Sequence, residues 1–341
     1  MNLNSYLKTT NFIKSLILPL GYYFPLNKIF TNNRNYAVLC YHRIAATDKI
    51  LDKRNPLSGL EVHQEIFEKQ IMFLKNKFKI LSLDDLKTHI EQKNKDFAIS
   101  ITFDDGYLDN FNLALPILEK HNVPATIFVI TRFLEKNDFM WWYFLWDNLN
   151  NQKFIFINSK KIYLKDKSDI TNWYGILSKE VIELNYKSQK DYLDKVFGNN
   201  LNFNYKNLIL DFDQLIDLSK NELIEIGSHT LTHAKLTTLN DEEIFEELSV
   251  SKKIIEEKIK QKVNYLAYPY GGTNEVNNKI IKIAEQAGYQ MAFSTKRPFE
   301  QTNNFFDIPR INIDNNFEKK RLTSKINGFD DFLYSFKKIF V

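Results

Sequence analysis

Two short stretches of this 341-residue chain place carboxylates and imidazoles at spacings that suit metal chemistry. Asp104 and Asp105 are adjacent and precede Gly106, and two such acids are costly to ionise together unless a cation lies beside them. His229 and His233 are four residues apart, so both imidazoles share one face if the segment is helical. Two histidines with one carboxylate are a recurrent catalytic metal set, which indicates a cation that activates water.

Each stretch taken alone has an ordinary explanation. An Asp-Asp-Gly sequence is common in surface turns, and a His-x-x-x-His spacing occurs by chance on helix surfaces. Their occurrence together at the ends of two predicted strands favours the metal site, because sites in parallel α/β folds gather at the carboxyl ends of strands.

The elements that must position these groups alternate between strands and helices. Short strands of the buried type are predicted at 36–41, 99–103, 125–130, 222–227, 264–268, 291–295 and 308–313. Amphipathic helices are predicted at 63–78, 83–91 and 275–287, and another is predicted to begin at a capping box of Asn240 and Glu243. Asp109 or Asn110 is expected to cap a further helix that runs to about residue 121. This alternation predicts a parallel sheet or barrel.

The alternation lapses between about 134 and 215, which we interpret as an insertion. It opens with an aromatic cluster that includes Trp141, Trp142 and Trp146. Trp141 and Trp142 are candidates for stacking on sugar rings, although packing that anchors the insertion to the barrel is the more ordinary role.

Charge and composition restrict the partners. The chain has 46 basic and 42 acidic side chains, and a net charge of +4 is too weak to indicate nucleic acid binding. The single cysteine, Cys40, excludes a disulfide framework. Segment 1–34 is basic and aromatic, with an apolar run that prolines break, so neither a clean transmembrane helix nor a signal peptide is predicted.

The tail after residue 317 is again basic and aromatic, with Phe332, Leu333, Phe336 and Phe340 on a predicted helix. Both ends suit peripheral association with an anionic membrane surface, or packing on the domain's own core. We therefore expect segment 1–34, a catalytic domain at 35–317 with its insertion, and a tail at 318–341. The cytoplasmic side of a membrane is the expected location.

Three motifs resemble those of the polysaccharide deacetylases, also called carbohydrate esterase family four or the NodB-homology domain. They are Thr102-Phe-Asp-Asp-Gly106, Ser228-His229-x-x-x-His233 and Tyr268-Pro-Tyr-Gly271. The resemblance covers about 98–130 and 220–313. It implies a distorted (β/α) barrel and hydrolysis of an N-acetyl group from an amino sugar, with zinc or another divalent ion.

The residues and the resemblance agree on the chemistry. A metal held by Asp105, His229 and His233 lowers the pKa of its water and polarises the acetyl oxygen. Asp104 is then free to take the proton of the water, and the family likewise uses its first Asp as the base. The family implies that the backbone N–H of Tyr270 is the oxyanion donor.

Many family members carry an Arg just before the third motif's Pro, where this chain has Tyr268, a candidate substrate-binding residue. Arg310, at a later strand, is the candidate that orients Asp104. A core ion pair is the equally ordinary role for this arginine.

The general acid of many family members is a histidine near the C-terminus, but no histidine follows His233 in this chain. In the poly-N-acetylglucosamine deacetylase branch the acid comes from an N-terminal Tyr-His element, which Tyr41-His42-Arg43 resembles. His42 is therefore the predicted acid. His63, His89 and His121 fall on or beside predicted helices and are expected at the surface.

The leading hypothesis is a metal-dependent N-deacetylase of an amino-sugar glycan or lipid-linked saccharide in surface-polysaccharide assembly. One alternative is a carbohydrate O-acetyl esterase with the same metal site. Another is a glycan-binding module that uses the tryptophan cluster and needs no metal set. The presence of all four residues Asp104, Asp105, His229 and His233 counts against the binding module.

Overall fold

A closed barrel of seven parallel strands forms the centre of the protein. The computed structural model describes residues 35–46, 55–136, 139–198, 207–297 and 304–331. In chain order the strands are β1 (Tyr36–Tyr41), β2 (Arg43–Ala45), β3 (Glu61–His63), β4 (Lys79–Ile80), β5 (Ala98–Phe103), β6 (Ala125–Val129), β7 (Phe154–Ile157), β8 (Lys160–Tyr163), β9 (Ile224–Ser228), β10 (Tyr265–Ala267), β11 (Met291–Ser294) and β12 (Ile308–Asn312).

The helices are α1 (Gln64–Lys77), α2 (Leu83–Glu91), α3 (Leu115–His121), α4 (Trp141–Asn151), α5 (Lys167–Ile182), α6 (Tyr186–Phe197), α7 (Phe212–Ser219), α8 (Asp241–Ile259), α9 (Asn278–Gln286) and α10 (Lys319–Ile326). The barrel order is β1, β5, β6, β9, β10, β11 and β12, and β12 pairs again with β1. This architecture confirms the predicted (β/α) barrel.

Strand alternation divides the apolar side chains between the two faces of the barrel wall. Val38, Phe128 and Phe293 come from three different strands and belong to one buried cluster that fills the interior. The neighbouring positions Leu39 and Ile127 point outward and pack in the larger cluster that includes the surrounding helices. This division follows from the two-residue period of a strand. It leaves the carboxyl ends of the strands to carry polar groups.

Several predicted elements are confirmed. Helices α1 and α2 fall within the predicted 63–78 and 83–91, and the capping box of Asn240 and Glu243 begins α8. Among the described residues between β6 and β9 there is no barrel strand, and β7 and β8 form a separate antiparallel sheet there.

The predicted helix cap at Asp109 or Asn110 is wrong. Residues 110–114 form a π-helical turn, and α3 begins only at Leu115. Neither side chain caps it, because both contact the segment that follows β1: Asp109 accepts from the Ile44 N–H, and Asn110 donates to the His42 carbonyl. A long-range contact therefore replaces the local one.

The expected surface position of three histidines is also corrected. His89 is only 4% exposed, since it lies on the inner face of α2 with Leu86. His63 and His121 are half-buried, and the His121 ring pairs with Glu68 at 2.9 Å.

The predicted N-terminal segment 1–34 and the aromatic positions from 332 onward lie outside the described residues. Within the described ranges, no helix has the length and apolar character that a membrane crossing needs.

Candidate active site

The predicted metal ligands meet at the carboxyl ends of β5 and β9, which are separated in the barrel by β6. Asp105 follows β5, and His229 follows β9. The Nε2 atom of His229 lies 3.4 Å from Oδ1 of Asp105, and Nε2 of His233 lies 3.7 Å from the same oxygen. One ligand atom from each residue lies within 4.8 Å of the others, so the three side chains form one cluster.

His229 and His233 lie on a loop and not on a helix. Their imidazoles come together through the shape of this loop, and not through the shared helical face that the four-residue spacing suggested. Thr230 and His233 have left-handed backbone angles, with φ of 68° and 63°. The His233 N–H donates to Oγ1 of Thr230, which closes the loop tightly. Asp105 is also left-handed, with φ of 72°. Such conformations are disfavoured for residues with a Cβ and concentrate at functional sites.

The hydrogen bonds and charges of this cluster fit a divalent cation. Nδ1 of His229 lies 2.7 Å from the Ala267 carbonyl oxygen, so it carries the proton, and the Nε2 lone pair faces Asp105. Burial lowers the pKa of His229 and of His233, which keeps both imidazoles in the neutral form that binds metal. Burial and the Asp104 charge raise the pKa of Asp105 to about 8. A cation beside this carboxyl favours its ionised form.

Asp104 is held by Arg310 through two parallel bonds. Nη1 and Nη2 of the arginine donate to Oδ1 and Oδ2 at 2.6 and 2.7 Å. The Arg310 side chain is 0% exposed, and Thr102 also accepts from it. The Cys40 thiol lies 3.4 Å from Oδ2. Burial alone favours the neutral acid, but the Arg310 charge prevails and holds the pKa of Asp104 well below its usual range.

His42 directly follows β1 and forms a second group of side chains with Asp104. Ligand atoms of Cys40, His42 and Asp104 lie within 4.8 Å of one another. Burial lowers the pKa of His42 to about 4, although the Asp104 charge acts in the opposite direction. The imidazole is therefore neutral at pH 7 and lies beside the Asp104 carboxylate.

The Tyr270 turn borders the same cluster. The Tyr270 ring lies 4.8 Å from the His233 ring, and the residue is left-handed with φ of 60°. Thr295 Oγ1 donates to its carbonyl at 2.6 Å, which holds the peptide between Tyr270 and Gly271. Within the described ranges, no protein acceptor takes a hydrogen bond from the Tyr270 N–H. That N–H is thus available to an oxygen of a bound substrate.

A family model described as polysaccharide deacetylase matches residues 91–292. The chain belongs to the polysaccharide deacetylase family. Its members are hydrolases of carbon–nitrogen bonds and metalloenzymes. The match contains the Asp-Asp and His-x-x-x-His motifs, whereas β1 with His42 lies before it.

Two relatives and one solved structure extend this likeness. Bacillus subtilis (strain 168) YxkH is 23% identical over 261 residues, which cover 76% of this chain and 64% of that relative. A poly-β-1,6-N-acetyl-D-glucosamine N-deacetylase of Staphylococcus aureus (strain MRSA252) is 25% identical over 322 residues, 90% of this chain and 88% of that relative. The Streptococcus pyogenes deacetylase PplD, solved in complex with acetate, has a TM-score of 0.57 and 18% identity, covering 85% of this chain and 97% of that one.

The structure does not support three predicted substrate contacts in this family member. Tyr268 is 1% exposed, and its hydroxyl donates to the Phe306 carbonyl, so it is a core residue. Trp141 and Trp142 are each 6% exposed, so little of either ring is open to a sugar. The Trp142 ring instead packs 5.1 Å from the His233 ring, so Trp142 supports a predicted metal ligand.

Sequence reasoning missed the acid that holds the histidine loop. Glu247 on α8 accepts from the N–H groups of Leu231 and Thr232, and from the Thr232 hydroxyl at 2.6 Å. The available signal was its place on the apolar face of α8 beside Ile244 and Leu248, because a buried acid there needs partners.

Replacing Glu247 by alanine is expected to weaken metal binding by about 10-fold to 100-fold, because the loop that carries His233 loses three hydrogen bonds. Competition with a chromogenic chelator measures this affinity. Glu246→Ala is the matched control, since Glu246 is exposed on the same helix. Equal affinities in the two variants would show that the loop holds its shape without Glu247.

Proposed function

We propose that this chain is a divalent-metal-dependent N-deacetylase that removes acetyl groups from an N-acetylated amino-sugar glycan. The observation that carries the proposal is the meeting of a two-histidine, one-carboxylate cluster with a second acid and a third histidine at one end of the barrel. A glycan-binding module has no use for this set. The names of the Staphylococcus aureus relatives favour a β-1,6-linked N-acetylglucosamine polymer as the substrate class.

We propose Asp105, His229 and His233 as the ligands and zinc as the ion. A divalent cation there supplies Lewis acidity, which makes water a nucleophile at neutral pH and polarises the acetyl oxygen. The donor set of two neutral imidazoles and one carboxylate is typical of catalytic zinc.

The remaining steps belong to the protein's own groups. Asp104 accepts the proton of the attacking water, and the Tyr270 N–H donates to the acyl oxygen as negative charge develops on it. The proton then passes from Asp104 to His42, whose ring nitrogen lies within 4.8 Å of the carboxylate, a gap that one water molecule bridges. His42 then donates it to the nitrogen as the C–N bond breaks, and acetate and a free amine leave.

The first test is acetate release from a β-1,6-linked N-acetylglucosamine oligomer, a chitin oligomer and an O-acetylated polysaccharide. Release from an N-acetylated substrate should disappear after dialysis against a chelator and return when zinc is added. If no N-acetylated substrate yields acetate while the O-acetylated one does, the chain is an esterase. Glycan binding that survives chelation, with no turnover at all, would support the binding module.

Substitution of His42 separates the amidase from the esterase. We expect His42→Ala to lower acetate release from an N-acetylated oligomer by about 10²-fold or more, because an amide nitrogen leaves poorly without a proton. Hydrolysis of an O-acetyl ester should change little. His121→Ala is the control, since its imidazole pairs with Glu68 at the end of α3. An unchanged amide rate in His42→Ala would assign the acid to another group.

We further propose a role in surface-glycan metabolism with peripheral membrane association on the cytoplasmic side. The basic, aromatic character of the two chain ends supports this proposal. Sedimentation with vesicles of phosphatidylglycerol, compared with vesicles of phosphatidylcholine, tests it. Absence of binding to the anionic vesicles would contradict it.

A further inference from the structure

The loop after the catalytic aspartates continues into two residues that hold the segment carrying His42. Asn110 Nδ2 donates to the His42 carbonyl at 2.8 Å. Asp109 Oδ1 accepts from the Ile44 N–H at 3.0 Å, and Asp109 Oδ2 accepts from Arg43 Nε at 2.9 Å. The backbone on both sides of Arg43, together with its side chain, is therefore tied to the β5 loop.

Arg43 itself is nearly enclosed and turned away from solvent, with 15% of its side chain exposed. Its Nη1 donates to Glu61 at 3.0 Å and to the Tyr143 hydroxyl at 3.1 Å. The guanidinium carbon lies 5.2 Å from the centre of the Tyr107 ring. A planar fork held by four different groups fixes the direction of the chain beside it, which a lysine ammonium cannot do.

We propose that Arg43, Asp109 and Asn110 form a clamp of positioning residues that aims His42 at the leaving nitrogen, and so sets the ability to cleave amides rather than activated esters. The inference rests on the proposed function, in which His42 is the acid. His42 is the single residue between two strands, because β1 ends at Tyr41 and β2 begins at Arg43. The clamp holds the chain at this break between the strands, through the His42 carbonyl and the Ile44 N–H.

The chemical consequence follows from what each leaving group needs. An amine must be protonated as it leaves, whereas p-nitrophenolate leaves without a proton. A displacement of about 1 Å in a catalytic group costs on the order of 10²-fold in rate. A loosened clamp should therefore slow amide hydrolysis and spare activated esters, while general damage to the site slows both.

The experiment compares Asn110→Ala and Arg43→Lys with wild type, each loaded with zinc, on an N-acetylated oligomer and on p-nitrophenyl acetate. We expect amide kcat/KM to fall about 10-fold or more in both variants, and ester kcat/KM to stay within about 2-fold. Asn112→Ala is the matched control, because Asn112 is exposed two residues further along the same helical turn. Adding His42→Ala to either variant should cause no further loss of amide hydrolysis beyond His42→Ala alone.

Three outcomes would overturn the clamp. Parallel loss of amide and ester hydrolysis in Asn110→Ala, with the thermal midpoint unchanged, would mean that the contact serves the site as a whole. A large loss in His42→Ala with none in the clamp variants would show that His42 needs no positioning. Retained amide hydrolysis in His42→Ala would remove the acid role and the clamp together, while zinc-dependent acetate release by the wild type would still support the deacetylase.

Discussion

Asp104→Asn is expected to lower kcat/KM for acetate release from an N-acetylated oligomer by about 10³-fold. The asparagine keeps the shape of the side chain but cannot accept a proton from water. Asp105, His229 and His233 retain their contacts, so zinc content should remain that of the wild type. The measurement is acetate release at matched zinc content, determined by elemental analysis.

A matched control separates lost chemistry from lost structure. Asp104→Asn leaves the buried Arg310 guanidinium without its carboxylate, so the thermal midpoint of the variant must be measured alongside its activity. Asp307→Asn provides the comparison, because Asp307 is also buried and paired, with Lys296 at 2.6 Å, but lies just before the amino end of β12 and outside the metal cluster. Near wild-type activity in Asp104→Asn would assign the base to another group.

Arg310→Met should cost about 3–5 kcal/mol in the free energy of unfolding, because it leaves the Asp104 carboxylate buried without its partner. Methionine fills a similar volume and cannot donate either of the two hydrogen bonds. Activity should fall as well, since Asp104 loses the group that fixes its plane. Urea unfolding of the metal-free proteins at several pH values measures the difference.

The sign of the pH dependence is fixed by the lowered pKa of Asp104. A carboxyl whose pKa is lower in the folded state stabilises the protein above its unfolded pKa of about 3.9, and this contribution is lost as the pH falls through the folded pKa. The gap between wild type and Arg310→Met should therefore be widest at neutral pH and should narrow below about pH 4. A constant gap would show that the arginine stabilises through packing alone. The variant Asp104→Asn/Arg310→Met should recover part of the loss.

The chemistry of the site was accessible from the sequence because its signals are local. Asp104-Asp105 and the His229–His233 pair each lie within a few residues of a strand with a clear two-residue period. A parallel barrel gathers all its strand ends on one rim, so motif and strand order together predict their meeting. The helix at 63–78 and the capping box at Asn240 were predictable for the same reason, since helical periodicity and capping act over three or four residues.

The tertiary structure decided which distant groups meet. The sequence left two roles for Arg310, a core ion pair or the orientation of Asp104. The fold brings Arg310 into contact with Asp104, 206 residues away in the chain. Asp109 and Asn110 have the side chains of helix caps, yet they bind the segment after β1, and Asn110 reaches a carbonyl 68 residues away. His89 was expected at the surface and is buried. Local propensity is worth about 1 kcal/mol for a cap, whereas leaving a buried charge or donor unpaired costs more, so the long-range partners prevail.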